Sequence, residues 1–402
     1  MSHASAFDRA RPPAIILGSD LTGLGALRSL RLAGIPAYSA CPPGDLVTRS
    51  RWYRPTPGSP PWDGSLGPQA LELLRAMPLD EAVLIPGADD AAIWLAELAG
   101  TDLGKRFRTS VSSPEALRIL QDKTRFAAHL AGTGIAHPRT FSIASAADIE
   151  KIPFDELDRV FIKPSNSQKF SQTIGAKGIW ANSRDELARI WAGLQGQGFH
   201  LMAQEYVPGS SADHYFIDGY RDRTGKFTGL FARRRIRIHP PDFGNSSFCH
   251  SIALDEVRGA VEGVSELLSG LDYRGIFSAE FKRDARDGRY RILEVNTRAW
   301  WYVEFAARCG INVCRMAYED ALELPVTIAT ADYPRGVGCV NLYGDLRTVR
   351  AQTTRERGPM RKILWQWLRA HLHVFRLSDP FPALSILRAM LARNLRRRLG
   401  FR

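Results

Sequence analysis

The first third of the chain alternates short apolar runs with segments of helical periodicity. Apolar runs at 14–18 and 82–87 are each followed by a helical pattern, ending near residues 33 and 99. Such alternation is typical of a parallel α/β sheet. Residues 42–68 are rich in Pro, Gly, Ser and Arg and predict a long loop. We therefore predict an N-terminal α/β, Rossmann-like domain over residues 1–112.

A mixed arrangement of helices and strands begins near Ser113 and predicts a second, two-lobed α+β domain over residues 113–330. The hydrophobic pattern predicts helices at 114–120, 122–131 and 255–269, strands at 160–164, 178–182, 199–207, 213–220 and 227–238, a hairpin within 276–298, and two helical stretches within 302–323. Neither an internal repeat nor a low-complexity tract interrupts this order.

The last segment, 331–402, is predicted to be a basic helical extension. Apolar residues recur at helical spacing among Lys and Arg, first as Ile363, Leu364, Trp367 and Leu368, then as Leu384, Leu387, Leu391 and Leu395. Basic amphipathic helices can lie on an anionic membrane surface. The other interpretation, which we favour, is a helical hairpin docked on the body with an Arg-rich outer face.

The charge of the chain is concentrated in this extension. The 402 residues carry a net charge of +12, but residues 361–402 hold ten Lys or Arg and one Asp, which leaves only +3 for the rest. We therefore expect no nucleic-acid partner for the body. Five cysteines, an odd number without a C-x-x-C pair, favour reduced thiols. With no apolar signal core or spanning run, the prediction is a cytoplasmic protein, or one peripheral to the inner membrane surface if the extension binds lipid.

The runs 276–281 and 290–298 predict a β-hairpin with a polar face. A three-residue loop at 286–288, with its Gly in the left-handed conformation, would place Glu280 opposite Glu294. A two-residue Asp-Gly loop would instead separate the two carboxylates, so the prediction depends on the register.

The polar face of this hairpin predicts a metal site. Two carboxylates about 5 Å apart repel by roughly 3 kcal/mol at an effective dielectric constant of ~20. Asn296, two residues after Glu294, points the same way in a strand. Carboxylate and amide oxygens suit Mg²⁺ or Mn²⁺, with phosphates completing the shell. The alternative is a solvated face paired with nearby Arg.

Other motifs are weaker when each is taken alone. Lys163 ends an apolar strand before the polar loop 165–178, which suits phosphates but also an ordinary exposed loop. The alternating Arg233, Arg235 and Arg237 share one face of a predicted strand and could hold a carboxylate and a phosphate, or form a solvated basic strand. The glycines of 18–25 favour a tight turn over a dinucleotide-binding loop.

The order of these motifs resembles the ATP-grasp superfamily of ATP-dependent carboxylate–amine ligases over roughly residues 113–325. The resemblance implies that Lys123 and Lys163 contact ATP phosphates, that Gly175, Lys177 and Gly178 form the lid over the triphosphate, that Glu205, Tyr206 and Val207 form the adenine hinge, that Asp213 binds ribose, that Glu280, Glu294 and Asn296 are the Mg²⁺ ligands, and that Arg298 steadies the transferred phosphate. Lys177 and Arg235 join Arg298 as the predicted catalytic residues.

The resemblance further implies a ligase that uses ATP and Mg²⁺. A small-molecule carboxylate becomes an acyl phosphate, and an amine then displaces phosphate to form an amide. The alternative is a membrane-surface protein whose ATP-binding body is regulatory, and a homodimer is left open. A dinucleotide oxidoreductase is a third hypothesis.

Overall fold

The computed structural model describes residues 11–164, 178–197, 199–240, 244–329, 331–353 and 358–398. Residues 164 and 393–398 are described by their backbone alone. Three sheets organise these residues, and they have four, four and seven strands. The predicted fold class, with a parallel N-terminal α/β sheet, a following α+β part and a helical C-terminal part, is confirmed.

The N-terminal sheet is parallel, with the strand order β2-β1-β3-β4. Its two central strands are apolar throughout and fully buried, as their uninterrupted hydrophobic runs predict. The elements are β1 (Ala14–Leu17), α1 (Asp20–Leu32), β2 (Ala37–Ala40), α2 (Pro68–Ala76), β3 (Ala82–Pro86), α3 (Asp89–Ala99), α4 (Asp102–Arg106) and β4 (Phe107–Arg108).

Glycines let the carboxyl ends of β1 and β3 approach each other closely. A Cβ on Gly18 would lie 2.9 Å from the Cα of Gly87, and a Cβ on Gly23 would lie 2.3 Å from the carbonyl oxygen of Gly18. The glycines after β1 therefore serve a tight strand-to-helix turn, as predicted, and no larger residue fits without a backbone shift.

A small antiparallel sheet forms the next lobe, with the order β5-β8-β6-β7. Its elements, with the two helices that precede it, are α5 (Pro114–Gln121), α6 (Lys123–Ala131), β5 (Thr140–Ile143), α7 (Ala146–Glu150), β6 (Val160–Pro164), β7 (Ile179–Ala181), α8 (Arg184–Leu194) and β8 (Leu201–Glu205). Asp122 caps α6 by accepting hydrogen bonds from the N–H groups of Thr124 and Arg125. This cap fixes the start of the helix, so that Lys123 is its first residue.

The large sheet has the order β13-β12-β9-β10-β11-β14-β15, antiparallel except between its last two strands. Its strands are β9 (His214–Arg221), β10 (Phe227–His239), β11 (Asn245–Ile252), β12 (Gly275–Arg283), β13 (Tyr290–Asn296), β14 (Gly338–Val340) and β15 (His371–Leu372). The helices of this part are α9 (Arg258–Gly270), α10 (Val303–Arg308), α11 (Val313–Ala321), α12 (Leu342–Ala351), α13 (Met360–Arg369) and α14 (Phe381–Arg398). Strands β11, β14 and β15 were not predicted.

The C-terminal segment is anchored to the body. Its strands β14 and β15 extend the large sheet, and Asp379 forms a buried ion pair with Arg28 of α1 at 2.9 Å. Arg376 lies 2.7 Å from the buried Glu304. The domain boundaries at 112/113 and 330/331 stay predictions, although the sheet itself continues across the second of them. Among the helices described, none combines the length and the apolar character that crossing a membrane requires.

Candidate active site

The predicted register of the β12–β13 hairpin is correct, but the predicted loop is not. Glu280 lies opposite Glu294, and Ser278 lies opposite Asn296. The N–H of Asp284 donates to the carbonyl of Arg289, so the loop has four residues, 285–288, instead of three. Its last residue is a glycine with φ +74°, as the left-handed prediction requires.

A β-bulge compensates for the longer loop. Phe281 pairs with Ile292, whereas the preceding Glu280 pairs with Glu294, so Leu293 is an extra residue in β13. The bulge shifts the register by one position between these pairs. Without it, the four-residue loop would have turned one carboxylate away from the other.

The two carboxylates differ in their surroundings. Glu280 lies 2.6 Å from His214 Nδ1 and 3.2 Å from Arg235 Nη2. Burial alone would raise the pKa of Glu280, but Arg235 and the His214 hydrogen bond hold it well below its usual range. Glu294 faces the open cleft, where desolvation and the charge of Glu280 raise its pKa, while Lys163 and Lys123 oppose that rise.

An inner cleft of about 150 Å³ brings together the two lysines predicted to contact phosphates and two of the three predicted metal ligands. It is lined by residues that include Asp89, Lys123, Lys163, Glu294 and Asn296. The Lys163 amine donates to Gln204 Oε1 at 2.7 Å. Desolvation lowers the pKa of Lys163, and the charges of Glu294 and Glu280 act against this effect. The cleft therefore combines cationic and anionic groups in one small space.

Arg298 is held at the edge of the inner cleft by a residue that sequence reasoning missed. Its guanidinium lies 3.2 Å (Nε) from Asp89 Oδ1 and 3.3 Å (Nη2) from Asp89 Oδ2, and Nη2 also donates to Asn296 Oδ1 at 3.2 Å. Asp89 begins α3 directly beyond the carboxyl end of β3. That edge of a parallel sheet is where ligands commonly bind, and this rule could have identified it.

The three alternating arginines of β10 share one face, as predicted, but they have different partners. Arg233 donates to the buried Asp218 at 2.7 Å, and Arg237 forms bidentate contacts of 2.7–3.1 Å with the buried Asp345. Arg235 alone among the three contacts Glu280. Two of the guanidinium groups are thus neutralised inside the fold, and Arg235 belongs to the site.

An outer cleft of about 400 Å³ adjoins the inner one through Lys163, Gln204 and Leu293. Its lining includes the predicted hinge residues Glu205, Tyr206 and Val207, and also Arg159, Trp180, His214 and Lys282. The Arg159 guanidinium lies 4.3 Å from the ring centre of Trp180 and 4.1 Å from that of Tyr206. These aromatic and cationic groups suit a planar ring and its phosphates.

The Glu205 carboxylate already has partners within the protein, so it is not a free hydrogen-bond acceptor for a ligand. It accepts a hydrogen bond from the N–H of Arg139 at 3.0 Å and lies 2.7 Å from Arg286 Nη2 of the hairpin loop. The same loop arginine also contacts Asp284 at 2.6 Å. Glu205 therefore links the small lobe to the hairpin, while its backbone still borders the outer cleft.

Sequence comparison finds a partial relative. No protein-family model matches the chain. The curated D-aspartate ligase of Enterococcus faecium is 23% identical over 176 residues, which is 42% of this chain and 41% of that enzyme. The match therefore spans less than half the length of the relative.

Solved structures match over most of the chain. Carboxyaminoimidazole ribonucleotide synthase from Aspergillus clavatus, complexed with ATP, has a TM-score of 0.58 at 14% identity, covering 79% of this chain and 78% of that one. The biotin carboxylase domain of 2-oxoglutarate carboxylase from Hydrogenobacter thermophilus, with MgADP, reaches 0.60 at 14% identity, covering 81% and 73%. L-amino acid ligase from Bacillus licheniformis reaches 0.54 at 15% identity, covering 82% and 78%. The chain has the ATP-grasp fold.

Two of the residues predicted to bind ATP, Asp213 and Gly178, are not among the residues that line the two clefts. Asp213 accepts hydrogen bonds from the N–H and hydroxyl of Ser210 within a capping box, at 2.7 and 2.8 Å, and its neighbours Ser211 and His214 line the outer cleft instead. Gly178 is buried, and a Cβ there would lie 2.2 Å from the Phe161 ring. Gly175 and Lys177 lie outside the described residues.

The β12–β13 hairpin offers oxygen ligands that suit Mg²⁺. Within the described parts of the chain, no group of three His, Cys, Asp or Glu side chains could hold a metal ion alone. Two carboxylates and an amide, from Glu280, Glu294 and Asn296, would instead share Mg²⁺ with phosphate oxygens, which is its usual coordination. A divalent cation would also offset the repulsion that raises the pKa of Glu294.

Proposed function

We propose that this protein is an ATP- and Mg²⁺-dependent ligase that activates a small-molecule carboxylate as an acyl phosphate and joins it to an amine. The observation that carries the proposal is the register of the hairpin, with Glu280 opposite Glu294 beside Lys163 and Arg298. Nucleotide phosphates and a hard cation would satisfy this mixture of charges.

Each group has a defined part in the proposed reaction. A carboxylate oxygen attacks the γ-phosphorus of ATP and ADP leaves; the amine nitrogen then attacks the acyl carbon, phosphate leaves and the nitrogen loses a proton. Lys123 and Lys163 offset phosphate charge, and Arg298 and Arg235 orient the transferred phosphoryl group and the carboxylate. Bound Mg²⁺, held by Glu280, Glu294 and Asn296, would supply Lewis-acid stabilisation of the phosphates.

Amino acids are the first substrates to test. The relative by sequence is a D-aspartate ligase, and one structural relative is an L-amino acid ligase. Both names describe enzymes that take an amino acid as carboxylate or amine, which supports the same class here.

The proposal is tested by measuring ADP release from ATP with pairs of amino acids and small acids. We expect release that needs Mg²⁺, a carboxylate and an amine together. Lys163→Ala and Glu294→Gln should lower it by roughly a hundredfold or more. Glu266→Gln, on the exposed side of α9, is the matched control and should leave it unchanged. Release that survives Lys163→Ala and Glu294→Gln would contradict the site assignment.

A further inference from the structure

The last described helix, α14, turns leucines toward solvent. Leu384, Leu387 and Leu391 are 41%, 48% and 60% exposed. Spaced three and four residues apart, they form one stripe of the helix. Residues 382, 383, 385 and 386 on the other side are buried or half-buried, so the helix already packs on the body through that side. The apolar stripe therefore belongs to a surface and not to the core.

Two further exposed apolar residues lie just before the helix and at its first position. Leu377 is 90% exposed and Phe381 is 56% exposed, and both flank Asp379, which is fully buried and paired with Arg28. The ion pair anchors this corner of the chain and leaves its large apolar side chains outside. Contiguous exposed apolar groups on a soluble protein usually mark a contact surface.

The charge of the C-terminal segment that carries the stripe indicates the kind of partner. Between residues 361 and 402 the anionic side chain is Asp379, and it is buried against Arg28, while Arg376 is buried against Glu304. The remaining cationic residues of that segment are Arg361, Lys362, Arg369, Arg388, Arg393, Arg396, Arg397, Arg398 and Arg402. Those among them whose exposure is described (361, 362, 369 and 388) are exposed.

Two such surfaces on neighbouring copies would repel each other, and the rest of the chain also has a positive net charge, +3. Nucleic acid would use the arginines but leave the leucines in water. An anionic lipid surface suits both groups of residues, because its headgroups attract the arginines and the boundary of its acyl chains buries the leucines. With 18 residues the helix is about 27 Å long, but its interspersed arginines make it lie along a bilayer instead of crossing it.

We propose that the outward face of α14, with Leu377 and Phe381, docks the protein on an anionic membrane surface. This contact lies outside both clefts, so it stands or falls separately from the ligase activity.

Vesicle flotation of the full chain tests the proposal. We expect flotation with phosphatidylcholine vesicles containing about one third phosphatidylglycerol, roughly tenfold weaker flotation with phosphatidylcholine alone, and loss at high salt. The variant Leu384→Glu/Leu387→Glu/Leu391→Glu should not float, although exposed substitutions should leave its thermal unfolding unchanged. Leu32→Glu is the matched control, since Leu32 is 57% exposed on α1, and it should float like the parent.

Three results would overturn the proposal. The full chain does not float with anionic vesicles; the triple variant floats as well as the parent; or sedimentation velocity shows a dimer that the triple variant dissociates, while the parent ignores lipid. The last result would assign the stripe to a second copy.

Discussion

Asp89 and Arg298, 209 positions apart in sequence, form a two-contact ion pair at the edge of the inner cleft, at 3.2 and 3.3 Å. The carboxylate comes from α3, which follows a strand of the N-terminal sheet, and the guanidinium comes from the segment after the β12–β13 hairpin. The pair therefore connects the geometry of the proposed phosphate site to the docking of the first domain. It also fixes Arg298 beside Asn296, to which it donates.

Asp89→Asn should lower kcat of the proposed reaction by roughly tenfold to a hundredfold, because a misplaced guanidinium weakens transition-state stabilisation. The Kd of ATP should change little, since Arg298 is proposed to act on the transferred group. Steady-state kinetics and ATP titration measure the two quantities. The exposed neighbour provides a control, Asp90→Asn, which should behave like the parent; equal losses in both variants would contradict a specific role for Asp89.

Glu294→Gln should raise the Mg²⁺ concentration needed for half-maximal ATP turnover by about tenfold, because a neutral amide is a weaker ligand for a hard cation. Titration of Mg²⁺ at saturating ATP measures this shift. The comparison is Glu256→Gln, a change outside the two clefts. An unaltered Mg²⁺ requirement in Glu294→Gln would remove Glu294 from the metal site.

Substitutions at two arginines of β10 should have different effects, one mainly on stability and the other mainly on activity. Arg237→Met removes the cationic partner of the buried Asp345 carboxylate. We therefore expect the free energy of unfolding to fall by about 3–5 kcal/mol. Adding Asp345→Leu should recover part of that loss. Arg235→Met should instead lower kcat strongly, since Arg235 contacts Glu280. Urea unfolding and kinetics on the same samples test this; the reverse pattern would contradict the assignment.

His373 should make stability depend on pH. It is buried, stacks on Tyr302 with ring centres 4.4 Å apart, and burial lowers its pKa to about 4 from the usual 6.5. Between these two pKa values the unfolded chain binds a proton at His373 that the folded protein does not bind. The contribution of the neutral His373 to the free energy of unfolding is therefore complete above pH 6.5 and is lost as the pH falls toward 4. The loss amounts to about 3 kcal/mol at most.

Replacing this histidine should flatten that dependence. His373→Gln should show a smaller drop in unfolding free energy between pH 7 and pH 5, measured by urea titration, than the parent. His200→Gln, at an exposed position, keeps the buried imidazole and should retain the full drop. Identical pH profiles for His373→Gln and the parent would place the sensitivity in another group.

The sequence supported the fold and much of the site because local patterns carry them. Apolar runs predicted the strands β1 and β3, and the alternation of Glu280, Glu294 and Asn296 with apolar neighbours predicted their shared face. Yet the right register was reached from the wrong loop. A one-residue longer loop and the bulge at Leu293 cancel, and periodicity along one strand reveals neither.

What the tertiary structure alone decided are the partners of charged groups. Three arginines with identical spacing in β10 meet Asp218, Glu280 and Asp345, which come from different strands and a helix. The tertiary structure likewise decided that Asp89 pairs with Arg298 and that the leucine stripe of α14 faces outward. Periodicity states which residues share a face, because that follows from backbone geometry; which carboxylate or solvent that face meets depends on packing between distant segments, and only the folded chain determines it.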